Sequence, residues 1–385
     1  MNYLAIAVIL AVSDLLVVWY YRLLRASRRR ALGMRHSHPR ESISQQKGLI
    51  SIVVPAWNEE DVMSDCLAHI VGLDDDKWEC IAVAGGSDHT FDICTSWHEK
   101  DDRISVLRQR EAGKNGALND GIARCSGDIV VLLDADCVVA QDHLTKVREL
   151  FGEGLDVILP SYIPITASGV SMVLVAEKIR SYEILGKREV FGGASIVVRS
   201  KRLREILPLP EDLEAGVDWD FGKRIAAGKW TVAYCGEIEV KTEMPSTISR
   251  YAKDQLRWKR ALIKWSMREE NWLGNLCKYP SSLFPYAISA FLFTSLGISV
   301  GLVLIDREYA LGLVLVAIAF VWNTVRNITP VPEVVVFTGD RSWYKFIGYE
   351  AILHVVDLAV TYVSIFTYWK VSRFFKGPRS KRRDS

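Results

Sequence analysis

The sequence predicts an α/β domain, with a mostly parallel sheet flanked by helices, between transmembrane helices at the two ends of the chain. Short β-branched runs alternate with charged, amphipathic stretches between residues 48 and 245, a pattern typical of parallel sheets built from right-handed crossovers. Residues 1–21 carry one charged side chain, Asp14, and are long enough to cross a bilayer. Apolar stretches of similar length recur between residues 283 and 369.

The composition of the chain excludes several classes of protein. Of its 385 residues, 49% are hydrophobic and 24% are charged, and the formal net charge is +2. Neither a disordered chain nor bulk binding of nucleic acid is therefore expected. The seven cysteines form no Cys-x-x-Cys pair, which favours reduced thiols in a cytosolic setting over a disulfide framework or a zinc site.

Residues 1–21 are predicted to form an uncleaved membrane anchor. Five arginines follow them between residues 22 and 30, whereas a secretory signal peptide carries its positive charges before the apolar run. Positive residues mark the cytoplasmic side of a membrane segment. We therefore expect an integral protein of the cell membrane, with the basic linker 22–47 and the domain after it in the cytoplasm.

The domain predicted at residues 48–245 contains five recognisable strands. They are Leu49–Val54, Ile81–Ala84, Ile104–Leu107, Ile129–Leu133 and Val157–Leu159. Amphipathic stretches at about 59–71, 90–99 and 115–124 predict the helices between the first four strands. Because ligands of such sheets bind beyond the carboxyl ends of the strands, the residues that follow each strand are candidate site residues.

The first two strand ends carry polar turns. Pro55 is predicted to end the first strand, and Asn58, followed by Glu59, is predicted to cap the next helix. After the second strand, residues 85–88 (Gly-Gly-Ser-Asp) form a glycine-rich turn at the start of a helix, where free N–H groups would face a nucleotide. A purely structural turn is the alternative for this segment.

Two carboxylates, Asp134 and Asp136, follow the fourth strand directly. Hard oxygen ligands at this spacing suit Mg²⁺ or Mn²⁺ bridging a diphosphate, and a capping turn is the alternative. The segment 113–119, between the third and fourth strands, supplies Lys114, a point charge suited to a phosphate, and the amide of Asn119.

These segments resemble the family 2 glycosyltransferases, which are inverting enzymes with a GT-A fold. The similar segments are VVPAWNEE (53–60), GKNGALN (113–119) and LLDAD (132–136). Later, VDWDFGKRI (217–225) is similar to the family's TED-containing segment, and DQLRW (254–258) is similar to the QxxRW motif of its membrane-integrated branch. The resemblance extends over about residues 48–270.

The resemblance implies a role for each matching residue. Asp218 would be the catalytic base, Arg257 would hold the diphosphate, and Trp258 would stack near the acceptor. Gln255 is also expected to bind substrate. Asp136, assisted by Asp134, would hold Mg²⁺ or Mn²⁺. The other residues expected to bind the donor substrate are Pro55, Asn58, Glu59, Gly85, Asp88, Lys114 and Asn119.

The chain departs from the family pattern at three places. Val83-Ala84 stand where an acidic residue usually contacts the nucleotide base, which weakens the expectation of uridine. Val217 replaces the glutamate of TED and leaves the base in place. Asp254 replaces the first glutamine of QxxRW, so an anion lies near the expected diphosphate unless it pairs with Lys253, Arg257 or a neighbour.

The expected function is metal-dependent, inverting transfer of a sugar from a nucleotide-diphosphate donor, with a UDP-sugar as the usual case. The acceptor would be a membrane lipid or a glycan. A processive polysaccharide synthase of the same family and a non-catalytic protein that binds sugar nucleotides are the alternatives.

The C-terminal third is predicted to hold the remaining membrane segments. Basic and aromatic residues alternate between 246 and 282, which favours amphipathic helices on an anionic membrane face over an ordinary surface helix. In the region 283–369, the stretches 283–305 and 309–325 are free of charge and predict a helical hairpin.

The third apolar stretch, 346–369, carries Glu350, His354 and Asp357 on one helical face. That face either packs against neighbouring helices or forms an intramembrane polar site for an acceptor. The basic tail 370–385 favours the cytoplasmic side. Three crossings after a cytoplasmic domain would place it outside, so either one stretch does not cross or the segment 327–345 re-enters.

Overall fold

The computed structural model describes residues 48–111, 113–151, 154–184, 193–211, 217–266 and 330–374, with scattered positions between 295 and 317. The predicted anchor 1–21, the linker 22–47, the tail from 375 and nearly all of the predicted hairpin 283–325 lie outside the described residues. The described residues fall into two compact units. We call residues 48–167 and 174–244 the sheet unit, and residues 168–173 and 245 onward the helical unit.

The sheet unit contains a mixed sheet in the order β3-β2-β1-β4-β7-β6-β8-β5. Its strands are β1 Ile50–Trp57, β2 Trp78–Gly85, β3 Ile104–Arg108, β4 Ile129–Leu133, β5 Cys137–Val139, β6 Val157–Pro164, β7 Ser195–Arg199 and β8 Val232–Thr242. The neighbours β3, β2, β1 and β4 are parallel, as predicted. Beyond β4 the sheet becomes mixed: β7 runs antiparallel to both β4 and β6, and β5 runs antiparallel to β8, whereas β6 and β8 are parallel. The sheet is therefore mixed, with its continuous parallel part at β3-β2-β1-β4.

The helices of the sheet unit connect and cover these strands. They are α1 Met63–Val71, α2 Thr90–His98, α3 Lys114–Arg124, α4 His143–Leu150, α5 Gly169–Ile179 (whose first turn belongs to the helical unit), α6 Ser200–Glu205 and α7 Val217–Ala227. Every residue of β4 is buried, as expected for a central strand covered on both faces. In β1, Ile52 and Val54 pack into the core beside α1, whereas Val53 packs into the second core beside α3.

Pro55 does not end the first strand, which continues to Trp57. The N–H groups of Ile50 and Asn58 point toward β2, where they donate to the carbonyls of Lys77 (3.0 Å) and Gly85 (3.2 Å). The backbone N–H positions of odd-numbered residues, including Pro55, therefore point toward β4. Pairing of β1 with β4 stops at Val53, so the missing N–H of proline removes no hydrogen bond from the sheet.

The prediction that Asn58 caps the next helix is wrong. Helix α1 begins at Met63, preceded by Val62, whereas Asn58 has a left-handed backbone (φ 57°). Its Oδ1 accepts a hydrogen bond from the N–H of Ser87 at 2.7 Å. Asn58 thus joins the ends of β1 and β2, because its short amide tolerates this conformation and reaches the neighbouring turn.

The helical unit includes α8 Ile248–Ser266, α9 Pro330–Thr338, a 3₁₀ turn Arg341–Phe346 and α10 Ile347–Phe374. Within the described residues, one helical stretch, Arg341–Ser364, is long and apolar enough to cross a membrane. The segment 327–345, which was considered as a re-entrant stretch, holds the short helix α9 and the 3₁₀ turn from residue 330 onward.

The polar face of α10 packs against α8. Asp357 accepts hydrogen bonds from the Nζ of Lys259 at 2.8 Å and from the hydroxyl of Tyr251 at 2.6 Å. The side chains of Lys259 and Asp357 are each 3% exposed. Lys259 is one of the basic residues of the predicted amphipathic stretch 246–282, but its ammonium pairs with a buried carboxylate instead of facing an anionic membrane surface.

The six cysteines among the described residues are buried and unpaired, which agrees with the prediction of reduced thiols. Cys277 lies outside the described residues.

Candidate active site

Lys114 and Asp134 form an ion pair at the carboxyl edge of the sheet. Lys114 is the first residue of α3, and Asp134 follows the last residue of β4. The Nζ of Lys114 lies 2.5 Å from Oδ1 of Asp134 and donates a hydrogen bond to the carbonyl oxygen of Gly193 at 2.9 Å. Both side chains are 30% exposed, so the pair lies at the wall of a cleft.

Asp218 lies in the same cleft, near the N-terminus of α7. A Cβ atom added to Gly193 would lie 2.4 Å from Oδ1 and 2.5 Å from Oδ2 of Asp218. The carboxylate therefore packs directly against the glycine that receives the hydrogen bond from Lys114. The cleft is lined by Lys114, Leu118, Leu132, Leu133, Asp134, Gly193, Ile196, Asp218 and Phe221.

The charged groups of the cleft influence one another strongly. Burial raises the pKa of the Asp134 carboxyl to about 6; Lys114 opposes this rise, whereas Asp136 and Asp218 add to it. Burial lowers the pKa of Lys114, but the carboxylates of Asp134 and Asp218 outweigh it and leave that pKa above its ordinary value. Burial also raises the pKa of Asp218, while Lys114 and Lys178 oppose the rise. The three predicted carboxylates thus share one electrostatic environment.

Glu59 contributes to the same negative field. Burial raises the pKa of its carboxyl, and Asp136 and Asp134 raise it further. Its backbone N–H is held by the hydroxyl of Thr90 at 2.7 Å. The end of β1 therefore brings a further carboxylate toward the two that follow β4.

The polar groups of the turn after β2 form hydrogen bonds within the protein. The carboxylate of Asp88 accepts hydrogen bonds from the N–H of Thr90 (3.1 Å), the hydroxyl of Thr90 (2.7 Å) and the N–H of Glu60 (3.1 Å). At Gly85, an added Cβ would lie 2.6 Å from the carbonyl oxygen of Gln109, so glycine permits a close approach of β2 to the chain beyond β3. These contacts support the structural alternative for the turn.

Asn119 was expected to bind the donor, but the structure assigns its amide another partner. Its Nδ2 donates to the carbonyl of Leu209 (2.9 Å) and to Oε1 of Glu211 (3.0 Å), and its Oδ1 accepts from the N–H of Leu209 (2.8 Å). The neighbouring Asn115 donates to the carbonyl of Pro210 at 2.7 Å. The two amides of α3 hold the segment 209–211 instead of facing the cleft.

The predicted residues Gln255, Arg257 and Trp258 lie on α8, in the helical unit. The side chain of Arg257 is 66% exposed and that of Trp258 is also exposed. Asp254 pairs with Arg250 at 3.1 Å and with Arg257 at 3.6 Å. The replacement of glutamine by aspartate at this position is therefore balanced by two arginines on the same helix face.

Two residues that interact with the charged groups of the cleft were not among the predicted ones. Gly193 contacts both Lys114 and Asp218, and Lys178 of α5 lies within electrostatic range of Asp218. Neither follows a strand of the parallel half, and their contacts join distant parts of the chain. No local periodicity or strand-end rule could have selected them.

Among the described residues, no group of three His, Cys, Asp or Glu side chains is arranged to hold a metal ion. The donor set nevertheless fits a hard divalent cation, because Asp134 and Asp136 supply carboxylate oxygens and substrate phosphates usually complete such sites. Burial raises the pKa of Asp134 and of Glu59, and the neighbouring carboxylates, Asp136 among them, raise both further. A cation there would neutralise the charge of these carboxylates.

Comparison with known proteins identifies the sheet unit. Residues 51–207 match the family described as Glycosyl transferase family 2. The chain is 26% identical over 200 residues to glycosyltransferase AglE of Haloferax volcanii, an alignment that covers 49% of this chain and 65% of that one. It is 38% identical over 94 residues to the poly-beta-1,6-N-acetyl-D-glucosamine synthase of Staphylococcus aureus, covering 24% of this chain and 23% of that one.

A solved structure shares the fold. The mannosyltransferase PcManGT from Pyrobaculum calidifontis, in complex with GDP-Man and Mn²⁺, superimposes with a TM-score of 0.55 at 18% identity, covering 83% of this chain and 99% of that one. This likeness confirms a GT-A-like α/β fold.

Proposed function

The chain carries a glycosyl transferase family 2 domain at residues 51–207, and we propose that it transfers a sugar, with inversion, from a nucleotide-diphosphate donor to a lipid or glycan acceptor at a membrane. The observation that carries the proposal is that Asp134 and Asp218 both interact with Lys114 in one cleft, while Asp136 lies close enough to Asp134 to raise its pKa. The similarity to a glycosyltransferase and to a poly-beta-1,6-N-acetyl-D-glucosamine synthase also supports the proposal.

Asp218 would take the proton from the acceptor hydroxyl as general base. Its carboxylate is fixed against Gly193, and its raised pKa brings its basicity closer to that needed for accepting a proton at neutral pH. Attack from the face opposite the leaving group inverts the anomeric centre, by the same geometric logic as in inverting glycosidases. An α-linked donor would give a β-linked product.

Lys114 would stabilise the departing diphosphate. Its ammonium is fixed by Asp134 and the Gly193 carbonyl, so a positive charge is already in place where negative charge develops. Mg²⁺ or Mn²⁺ held by Asp136 and Asp134 would supply further charge neutralisation at the diphosphate. Arg257 and Trp258 keep the roles toward diphosphate and acceptor that the motif at 254–258 implies, as part of this proposal.

The side-chain pattern of α10 supports attachment to a membrane. The helix exposes Ile352, Val355 and Val363, with 63% of Val355 exposed, while Glu350 and Asp357 are buried. A helix with apolar residues outward and ionisable residues inward is stable in lipid and unfavourable in water. The proposal therefore places α10 in the bilayer and the catalytic cleft in the cytoplasm.

A processive synthase is the second candidate. It is favoured by the 38% identity to the poly-beta-1,6-N-acetyl-D-glucosamine synthase over 94 residues. The alignment covers less than a quarter of that relative. The number of sugar units in the product is the measurement that separates the two candidates.

Purified full-length protein in detergent, incubated with a panel of labelled UDP- and GDP-sugars and membrane lipids, tests the proposal. We expect release of nucleoside diphosphate with one donor, loss of release in EDTA, recovery with Mn²⁺ or Mg²⁺, and a glycosylated product whose mass shows how many units were added. Asp218→Asn should lower the rate by about 10²–10⁴-fold. Asp220→Asn, which removes the partner of Arg224 on the same helix (2.7 Å), is the matched control and should retain most activity.

Two results would contradict the proposal. Measurable donor binding without turnover for any donor would indicate a protein that only binds sugar nucleotides. Full activity of Asp218→Asn would show that Asp218 is not the general base, and it would not affect the family assignment.

A further inference from the structure

Lys178 occupies a position beside Asp218 that the reaction described above does not use. It lies in the last turn of α5, and its Nζ is 4.5 Å from the centre of the Tyr162 ring. An ammonium over an aromatic face is held by the electrostatic attraction of the ring. The lysine ammonium therefore has a defined position inside the sheet unit.

Tyr162 is itself fixed. Its ring is buried, its hydroxyl donates a hydrogen bond to the carbonyl oxygen of Ser195, and the N–H of Ser195 donates back to the hydroxyl at 3.3 Å. Ser195 begins β7, two residues after Gly193, and Gly193 contacts the Asp218 carboxylate. The Tyr162 ring that contacts Lys178 is thus bonded to the same stretch of chain that packs against Asp218.

The charges around Lys178 identify its partner. Burial lowers the pKa of its ammonium, and Asp218, followed by Glu177, opposes that effect. Lys114 also faces Asp218, but it forms its short ion pair with Asp134. Lys178 forms no ion pair within 4 Å among the described residues, so Asp218 is the main charge that balances it.

We propose that Lys178 is a positioning residue for Asp218: its ammonium lies over the Tyr162 ring, whose hydroxyl is bonded to Ser195, and so fixes the stretch of chain at Gly193 against which the Asp218 carboxylate packs in the orientation that receives the acceptor proton. The inference rests on the proposed function, in which Asp218 is the base. Lys114 serves the diphosphate side of the cleft, and Lys178 serves the acceptor side.

Kinetics of three variants test the inference in the assay described above. Lys178→Met keeps the length of the side chain and removes its charge. It should lower kcat at least tenfold while the donor KM stays within about twofold, because donor binding does not require Asp218. Lys178→Arg should recover most of kcat, since a guanidinium also binds over an aromatic ring. Lys201→Met, an exposed lysine of α6, is the control and should resemble the wild type.

A double-mutant cycle of thermal unfolding gives a readout that does not depend on activity. Lys178→Met should lower Tm by a few degrees when Asp218 is present, because it removes one of the two lysines whose positive charge favours the Asp218 carboxylate, and should change Tm by about 1 °C or less in the Asp218→Asn background. Equal Tm shifts in the two backgrounds would overturn the inference, as would an unchanged kcat in Lys178→Met or a loss of kcat that arginine does not restore. If the wild type turned over no donor, the proposed function would fail, and the cycle would still decide whether Lys178 and Asp218 are coupled.

Discussion

The ammonium of Lys114 lies 2.5 Å from Oδ1 of Asp134 and 2.9 Å from the carbonyl oxygen of Gly193. A single lysine at the start of α3 thus joins the carboxylate at the end of β4 to the segment against which Asp218 packs. The cleft carries several carboxylates, and this lysine is the cation in direct contact with one of them.

Lys114→Met should lower the rate of nucleoside diphosphate release by about 10²-fold or more, because a preformed positive charge at a developing anion typically contributes that much. The measurement is turnover at saturating donor. Lys146→Met is the matched control, since Lys146 pairs with Asp142 on the surface of α4. Retention of more than half of the activity in Lys114→Met would show that the leaving group is stabilised elsewhere.

Gly193→Ala should disable Asp218 without removing it. The added Cβ would lie 2.4 Å from one carboxylate oxygen, so the carboxylate must move, and a displacement of about 1 Å can cost about 10²-fold in rate. We expect kcat to fall while the protein still binds donor, measured by equilibrium binding of the labelled nucleotide sugar. Gly116→Ala, where the nearest atom belongs to Glu211 at 3.8 Å, is the control; equal kcat values for the two variants would contradict the assigned contact.

Asn119→Ala should destabilise the sheet unit. The amide makes hydrogen bonds to the N–H and carbonyl of Leu209 and to Glu211, and removing it leaves polar groups of that segment without partners. Such losses cost about 1–3 kcal/mol in the free energy of unfolding. Chemical denaturation would measure the change, with Asp120→Asn, an exposed neighbour on α3, as the control. A variant of unchanged stability that has lost donor binding would restore the original prediction for Asn119.

The parallel half of the sheet could be predicted from the sequence because its signal is local. Each of β1–β4 is an apolar run that ends near polar or glycine-rich residues, and its position follows from that pattern alone. The location of Asp134 and Asp136 followed from the rule that strand ends form sites. Strands β7 and β8 were not predicted, since their places in the mixed sheet depend on pairing with distant strands.

The contacts of individual polar residues could not be predicted in the same way. The motif at 113–119 indicated that Asn119 matters, but the partner of its amide lies far along the chain, in the segment 209–211. Lys259 matched the pattern of an amphipathic helix on an anionic membrane face, yet it is buried beside a carboxylate on another helix. Periodicity indicates which face a residue occupies, whereas only the tertiary structure shows what covers that face.

Lys259→Met should destabilise the helical unit more than loss of a surface charge does. It leaves Asp357, which is 2% exposed, without its cation, and breaking a buried ion pair from one side typically costs about 3–5 kcal/mol. The double variant Lys259→Met with Asp357→Leu should recover much of that loss, because an apolar pair needs no balancing charge. Thermal unfolding in detergent would measure both, with the exposed Lys253→Met as the control. A double variant no more stable than Lys259→Met would contradict this account of the pair.

The stability of the sheet unit should fall with acid through His143. This residue of α4 is 2% exposed, and neither of its ring nitrogens has a hydrogen-bond partner among the described residues. Burial lowers the pKa of the imidazole from 6.5 to about 4, opposed by nearby Asp142 and assisted by Lys146. Below pH 6.5 the imidazole of His143 binds a proton in the unfolded chain, whereas in the folded protein it does so only near pH 4. The His143 contribution is therefore complete above pH 6.5 and is lost as the pH falls through that window, by up to about 3 kcal/mol.

His143→Leu tests this directly, because leucine fills the buried position without binding a proton. Chemical denaturation between pH 7 and pH 4 should show a free energy of unfolding that falls less steeply in the variant than in the wild type. His69→Gln, at an exposed position of α1, should leave the slope unchanged. Parallel curves for wild type and His143→Leu would mean that the imidazole reaches solvent or a hydrogen-bond partner when protonated.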